Sequence, residues 1–253
     1  RVAVGHDNVD LAAIRDAGIS LCTVAEYCTN EVADHVLMLM LALMRRLVEY
    51  HDLVQSQHLW QFDSLAGLQR FSKLTVGIIG FGRIGQAVSR RVLGFGARVL
   101  AHDYRPIEHA PRDERAQFCD LDTLLSKSDV ISLNCNMVPE NQNLIGRDAF
   151  LKMRRRPLII NCARGKLIDD AALVDALDSG QVSGAGLDVL ASEPPDLGRS
   201  RLANRHNVIL TPHMGFFSDS SMNSCRRQAA VNMRHFLEGE HEEVRNYIHL
   251  ACG

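Results

Sequence analysis

Thr75-Val76-Gly77-Ile78-Ile79-Gly80-Phe81-Gly82-Arg83-Ile84-Gly85 reads as a short apolar strand that runs straight into a G-x-G-x-x-G turn. Helical periodicity follows over Ile84–Leu93, and a second apolar strand over Arg98–Ala101. In that setting each glycine has a physical task. Gly80 permits the tight turn, Gly82 lets the backbone approach a pyrophosphate, and Gly85 lets helix and strand pack closely. The phosphates would sit at a helix N-terminus, where free N–H groups and the dipole favour anions. Asp103 ends the second strand, 18 residues past Gly85. A carboxylate there accepts hydrogen bonds from the adenosine ribose hydroxyls and repels a 2′-phosphate, so NAD is expected rather than NADP. Arg105, two residues on, would soften that preference. The turn residues Gly80, Phe81, Gly82, Arg83, Ile84 and Gly85, with Asp103, form the first part of the expected cofactor site.

Outward from this turn, strands and helices alternate from about residue 74 to 212. The strands are Thr75–Ile79, Arg98–Ala101, Asp129–Leu133, Leu158–Asn161, Gly184–Leu187 and Val208–Leu210. The helical stretches are Ile84–Leu93, Asp122–Ser126, Asp148–Lys152, Asp170–Ser179 and Leu197–Ala203. This alternation predicts an α/β fold, a Rossmann-type doubly wound parallel sheet with helices on both faces. Several strands are apolar on both sides, as a buried parallel sheet requires. Glu31–Tyr50 reads as one long helix, apolar nearly all round from Val36 to Met44 and so buried on several sides, by the core or by a second subunit. Gln55–Ser72, with the single tryptophan Trp60, reads as a connecting loop. Asp219–Glu238 is again helical and is expected to join the N-terminal segment in a second, smaller domain. The expected division is 28–217 for the dinucleotide-binding domain, with 1–27 and 218–253 as the remainder of a split one.

Composition narrows the function. The chain has 253 residues, 46% hydrophobic and 23% charged, with a formal net charge of −2. That balance is typical of a globular protein and argues against a nucleic-acid or membrane-surface binder. The seven cysteines are odd in number and make no C-x-x-C pair, so reduced thiols and a cytoplasmic setting are expected. The 11 histidines are scattered without H-E-x-x-H spacing, so no metal site is expected. No signal peptide or membrane span is visible. Arg1–Gly5 reads as the end of a strand, so the natural N-terminus is expected to lie upstream.

Three polar residues stand just after strands of the expected sheet. Arg164 follows Leu158–Asn161, Glu193 lies beyond Gly184–Leu187, and His213 follows Val208–Leu210. Ligands of an open parallel sheet bind beyond the carboxyl ends of its strands, so the three would converge on one crevice. Their types suit reduction of a 2-keto acid by a nicotinamide. Histidine is the natural acid/base near neutral pH. Glu193 would orient the ring and stabilise the imidazolium that proton exchange creates. Arg164 offers a planar fork to a carboxylate or keto oxygen. Each residue alone has an ordinary structural reading; the conjunction behind a dinucleotide fingerprint carries the functional one. Phe216, Phe217 and Tyr27 suggest an aromatic-lined substrate pocket, and core packing explains them equally.

Across nearly its whole length the sequence resembles the D-isomer-specific 2-hydroxyacid dehydrogenases. The matching motifs are Gly5-His6-Asp7-Asn8-Val9-Asp10, Glu31-Val32-Ala33-Asp34-His35, the glycine turn, Asp129-Val130-Ile131-Ser132-Leu133, Asn161-Cys162-Ala163-Arg164-Gly165, Gly186-Leu187-Asp188-Val189 through Glu193-Pro194, and Thr211-Pro212-His213. Tyr27–His35 and His213–Ser218 look most like the branch containing the C-terminal-binding-protein co-repressors. The resemblance implies a flavodoxin-like substrate domain split between the chain's ends, here incomplete, because the family has several dozen residues ahead of Gly5. It implies His213 as acid/base, Glu193 as its partner and Arg164 as substrate anchor. It implies further cofactor contacts from Cys28, Thr29, Cys135, Asn136, Asn141, Cys162, Ala163, Arg164, Asp188, His213 and Gly215. Substrate contacts would come from the amides around Val4 and Gly5, and from Arg164, His213 and Phe216. A homodimer through the dinucleotide domain, with the long helix at its interface, is also implied. The sequence departs from the family in places: Lys166 replaces a common glycine, Asn134 and Asn136 replace a common His and Pro, and Phe216 replaces the co-repressors' tryptophan. The expected function is hydride transfer between NAD and a D-2-hydroxy or 2-keto acid. The alternative is an NAD(H)-sensing scaffold of the co-repressor kind. Formate dehydrogenases pair the histidine with glutamine rather than glutamate, which disfavours that activity.

Overall fold

The computed structural model describes residues 1–104 and 115–249; Arg105 lies outside the described residues. Two compact units emerge, one of residues 32–215 and one of residues 1–31 with 216–253.

The larger unit is built on a seven-stranded, wholly parallel sheet. Its strands are β2 (Thr75–Ile79), β3 (Arg98–His102), β4 (Ala116–Phe118), β5 (Val130–Leu133), β6 (Leu158–Asn161), β7 (Gly184–Leu187) and β8 (Val208–Leu210). They lie in the order β4-β3-β2-β5-β6-β7-β8. Val76 pairs with Val99 on one side and Val130 on the other. The chain winds outward from β2 to β4, then returns to β5 beside β2, so the strand order reverses between β2 and β5. That reversal opens the crevice in which such sheets bind ligands.

Period-two alternation sorts the strand side chains between two layers. Ile79, Ile131, Leu133, Ile159, Ala185 and Leu187 point into one core. Helices α5 (Leu121–Lys127), α6 (Arg147–Lys152) and α7 (Asp170–Asp178) cover it with Leu124, Phe150 and Leu173. On the opposite face α4 (Arg83–Gly94) packs on Ile78, and α2 (Thr29–Met44) lies so close to β7 that a Cβ on Gly186 would stand 3.0 Å from Leu39 Cβ. Both faces are therefore covered, which is why β2, β5 and β7 are buried at every position.

Three expectations are corrected. Residues 1–5, read as the end of a strand, form no strand. Glu31–Tyr50 is not one helix. The helix ends at Met44, Arg46 adopts a left-handed conformation (φ 50°), and a separate helix, α3 (Leu47–Gln55), starts after it. The Arg46 guanidinium secures the corner by binding Glu49 and the carbonyl of Ala66. Apolar periodicity continues through the break, so counting residues could not reveal it. Leu197–Ala203 forms successive turns rather than a helix. Gly198 disfavours helical backbone there, and the Asp196 carboxylate takes the N–H of Gly198. β4 went unseen because three residues at a sheet edge carry too little pattern.

The smaller unit holds α1 (Leu11–Asp16), β1 (Leu21–Cys22), α8 (Asp219–Leu237) and β9 (Tyr247–His249), with β1 and β9 antiparallel. Asp10 caps α1 through the N–H groups of Ala12 and Ala13. Ser218 caps α8 in a reciprocal box with Ser221 and donates to Glu31. No helix among the described residues is long and apolar enough to cross a membrane. The described cysteines are free thiols.

Candidate active site

The glycine turn lies between β2 and α4, at the reversal of strand order. Gly80 takes φ 88°, and a Cβ there would stand 2.5 Å from the backbone nitrogen of Cys135, so only glycine lets the turn lie against the loop after β5. A Cβ on Gly85 would fall 2.1 Å from the Gly80 carbonyl oxygen, which forces glycine where α4 meets the turn. Gly82 differs: nothing lies within 4 Å of its Cβ position. It caps α4 with no side-chain hydrogen bond. The turn thus leaves open space above uncapped helix N–H groups, the surroundings a pyrophosphate requires.

Neighbouring residues shape this turn. The Asp103 carboxylate accepts the Phe81 N–H at 2.8 Å, tying the end of β3 to the turn. The Phe81 ring is fully buried and packs edge-on against Phe118 at 5.0 Å. Phe81 therefore contributes shape rather than an exposed group. Arg83 is exposed and Ile84 half-buried at the start of α4. In the loop after β5, Asn141 binds the Asn136 carbonyl and the Val138 N–H, both at 2.8 Å, so its amide folds its own loop. Burial pushes the Cys135 thiol up to about 11 and the Cys162 thiol higher still, the latter helped by the Asp188 charge. Both are protonated, unreactive thiols at neutral pH.

His213 and Glu193 meet. His213 Nδ1 lies 2.6 Å from Glu193 Oε2. An ionised carboxylate only accepts, so Nδ1 carries the proton and Nε2 is left to exchange one. The other Glu193 oxygen accepts the Leu190 N–H at 3.1 Å, which orients the carboxylate. Both side chains are part-exposed, 42% and 37%, so the pair stands at the surface of this unit, where a small molecule can reach it.

Arg164 sits on the loop after β6. Buried Asn161 builds that loop: its amide binds the Ala163 N–H and the Arg164 carbonyl, both at 3.0 Å. The guanidinium donates to the Ala163 carbonyl at 2.8 Å. Gly165 joins this loop to the next. A Cβ there would stand 1.9 Å from the Leu190 carbonyl carbon and oxygen, three residues before Glu193. The arginine loop, the glutamate loop and the histidine are therefore linked in one continuous set of contacts. Gly165→Ala is expected to force the two loops apart, destabilising the protein by about 1–3 kcal/mol; thermal melting of the variant checks this, and an unchanged melting temperature would contradict the close approach.

Asp188, at the end of β7, is 2% exposed. Its carboxylate accepts from Thr211 Oγ1 at 2.6 Å, Met214 N at 2.9 Å and Gly215 N at 2.8 Å. Burial pushes its pKa up, but hydrogen bonds from His35, Thr211, Gly215 and Met214 outweigh that and hold it below the usual range. Sequence reasoning missed Asn161, Thr211 and His35 as builders of the site. Polar residues at the ends of apolar strands were the available signal for the first two. Val4, Gly5, Cys28, Thr29 and Phe216 belong to the smaller unit. There Cys28 is buried, its thiol pushed up to about 11 by burial, and the Phe216 ring meets Tyr27 edge-on at 6.4 Å.

A doubly wound parallel sheet, with a glycine turn at its reversal point and a histidine–carboxylate pair beyond its carboxyl edge, defines a dinucleotide-dependent α/β protein. The particular family follows from comparison. Residues 37–215 match the D-isomer specific 2-hydroxyacid dehydrogenase NAD-binding domain. The chain belongs to the D-isomer specific 2-hydroxyacid dehydrogenase family. It is 36% identical to a glycerate dehydrogenase of Methylorubrum extorquens over 249 residues, covering 96% of this chain and 76% of that protein. It is 35% identical to a D-3-phosphoglycerate dehydrogenase of Mycobacterium leprae, covering 100% of this chain but only 49%, about half, of the relative. Among solved structures, D-lactate dehydrogenase from Aquifex aeolicus complexed with NAD and lactic acid superposes with a TM-score of 0.89 at 32% identity, over 98% of this chain and 78% of that one. The open space at Gly82 and the uncapped start of α4 fit NAD, the cofactor of the matched domain.

Proposed function

We propose that the protein interconverts a 2-keto acid and a D-2-hydroxy acid, with His213 as acid/base, Glu193 as its orienting partner and Arg164 as the anchor for the substrate carboxylate. The observation that carries this reading is the 2.6 Å contact between His213 Nδ1 and Glu193 Oε2. NAD(H), when bound, supplies or accepts the hydride. The chain's own residues do the rest. In the reducing direction His213 gives the Nε2 proton to the carbonyl oxygen as charge develops there, and in the oxidising direction it takes the hydroxyl proton back. Glu193 keeps the ring in the tautomer that presents Nε2 and stabilises the imidazolium. Arg164 pairs with the carboxylate through its planar fork and so fixes which face of the carbonyl is presented. The names of the glycerate, D-3-phosphoglycerate and D-lactate dehydrogenases reported above favour this reading over an NAD(H)-sensing scaffold.

The deciding experiment is NADH oxidation by the full-length protein with 2-keto acids of increasing side-chain size, glyoxylate and hydroxypyruvate included. Turnover with none of them would overturn the proposal. Asp103 is assigned to the adenosine ribose hydroxyls, supported by its position against the turn at Phe81. Asp103→Ala is expected to lower the ratio of kcat/KM for NADH over NADPH, since the carboxylate that repels a 2′-phosphate is gone; an unchanged ratio would refute that role. The division into a dinucleotide domain over 28–217 and a split substrate domain is part of the same proposal, as are a homodimer and a cytoplasmic setting. Met38, Leu47 and Val48, exposed by 47%, 60% and 54% on α2 and α3, support an apolar subunit interface. The roles expected for Val4, Gly5, Cys28, Thr29 and Phe216 rest on family resemblance alone.

A further inference from the structure

We propose that His35 is a positioning residue for His213, acting through Thr211 and Asp188. The inference rests on the reading of His213 as acid/base. His35 lies on α2, which carries none of the three residues assigned to the chemistry, and it is 8% exposed in an otherwise apolar stretch. Burying an imidazole costs free energy that a leucine there would not, so its hydrogen bonds call for an explanation.

The bonding fixes its proton. Thr211 Oγ1 lies 2.6 Å from Asp188 Oδ1, and a carboxylate only accepts, so the single hydroxyl proton of Thr211 goes to Asp188. His35 Nε2 lies 3.0 Å from the same hydroxyl and 3.4 Å from Asp188 Oδ1. The hydroxyl has no proton left to give, so His35 must donate from Nε2. His35 thereby holds the Thr211 hydroxyl and the Asp188 carboxylate in one orientation.

That orientation is what the His213 backbone needs. His213 adopts φ 52°, a left-handed conformation that costs a non-glycine residue about 1–2 kcal/mol. Such a conformation persists only where its surroundings over-determine it. Here three successive N–H groups converge on one residue. His213 N–H donates to the Asp188 carbonyl at 2.8 Å, and those of Met214 and Gly215 donate to its carboxylate. Gly215 has no Cβ to obstruct the approach; one there would stand 2.9 Å from Asp188 Oδ2 and 3.4 Å from the His35 ring. Turning the Asp188 carboxylate releases two of the three bonds, and the imidazole then swings relative to Glu193 and the substrate.

The test compares His35→Leu, His35→Gln, Thr211→Val and His213→Ala in the full-length protein. Steady-state kcat, NADH affinity by fluorescence titration and melting temperature are measured for each. His35→Leu is expected to lower kcat by about 10- to 100-fold, the size of effect that slight misplacement of a reacting group produces, with NADH affinity unchanged. His35→Gln places an N–H donor near the Nε2 position and is expected to restore most of the loss. Unchanged kcat in His35→Leu, or Gln no better than Leu at equal melting temperature, overturns the proposal. If His35→Leu does not fold, Thr211→Val decides: it removes the same relay at nearly constant volume, and wild-type kcat in it overturns the proposal too. Full activity in His213→Ala would instead sink the acid/base reading, so the two failures are distinguishable.

Discussion

Replacing His213 with alanine is expected to lower kcat by about 10²–10⁴-fold, the usual worth of a positioned acid/base. The size follows from what the imidazole does. A carbonyl oxygen that gains negative charge needs a proton at the moment of reduction, and in the proposed mechanism His213 Nε2 is that donor, with Nδ1 held against Glu193. Water can substitute only poorly, because it is neither aimed nor held. The same substitution should leave NADH affinity nearly intact, since the glycine turn and the start of α4 lie at the reversal of strand order and His213 follows β8 at the far side of the sheet. Steady-state kinetics and a fluorescence titration of NADH separate the two effects. Wild-type turnover in the variant would remove the mechanism. Loss of NADH binding along with turnover would mean that the residue holds cofactor rather than moving a proton.

The second large effect is expected at Arg164. On the proposed reading, removing the guanidinium leaves a substrate carboxylate unpaired, which costs about 2–5 kcal/mol, roughly 30- to 5000-fold in kcat/KM. Both kcat and KM should suffer, because the proposed anchor would bind the substrate and also hold its carbonyl in register for reaction. Arg164→Lys should recover little, since a point charge cannot reproduce two parallel hydrogen bonds. The loop itself should survive either change: Asn161 shapes it through the Ala163 N–H and the Arg164 carbonyl, not through the guanidinium. An Arg164→Ala variant with wild-type KM for its 2-keto acid would refute the anchoring role.

Much of the fold was legible along the chain because its signals are local. β2, β6, β7 and β8 were readable residue for residue, since short apolar runs bounded by polar or glycine-rich segments have few alternatives within a parallel sheet. The glycine turn was legible because its spacing is local, and Gly85 answers a local contact: its Cβ would stand 2.1 Å from the Gly80 carbonyl oxygen, five residues back. Where an element ends was harder to read. The corner at Arg46 depends on the carbonyl of Ala66, 20 residues away, and apolar spacing runs through it unchanged. At 197–203 the spacing looked helical, but the chain turns, with the Asp196 carboxylate taking the Gly198 N–H.

By itself, the sequence determined the parallel sheet, the place of the glycine turn and the positions of the histidine, glutamate and arginine beyond its strands, because periodicity and motif spacing act over a few residues. Only the tertiary structure decided how those residues are held. His213 meets Glu193 across 20 residues of chain, and His35 reaches Thr211 across 176. Contacts of that kind depend on how strands and helices stack, and side-chain spacing along the chain carries no record of them.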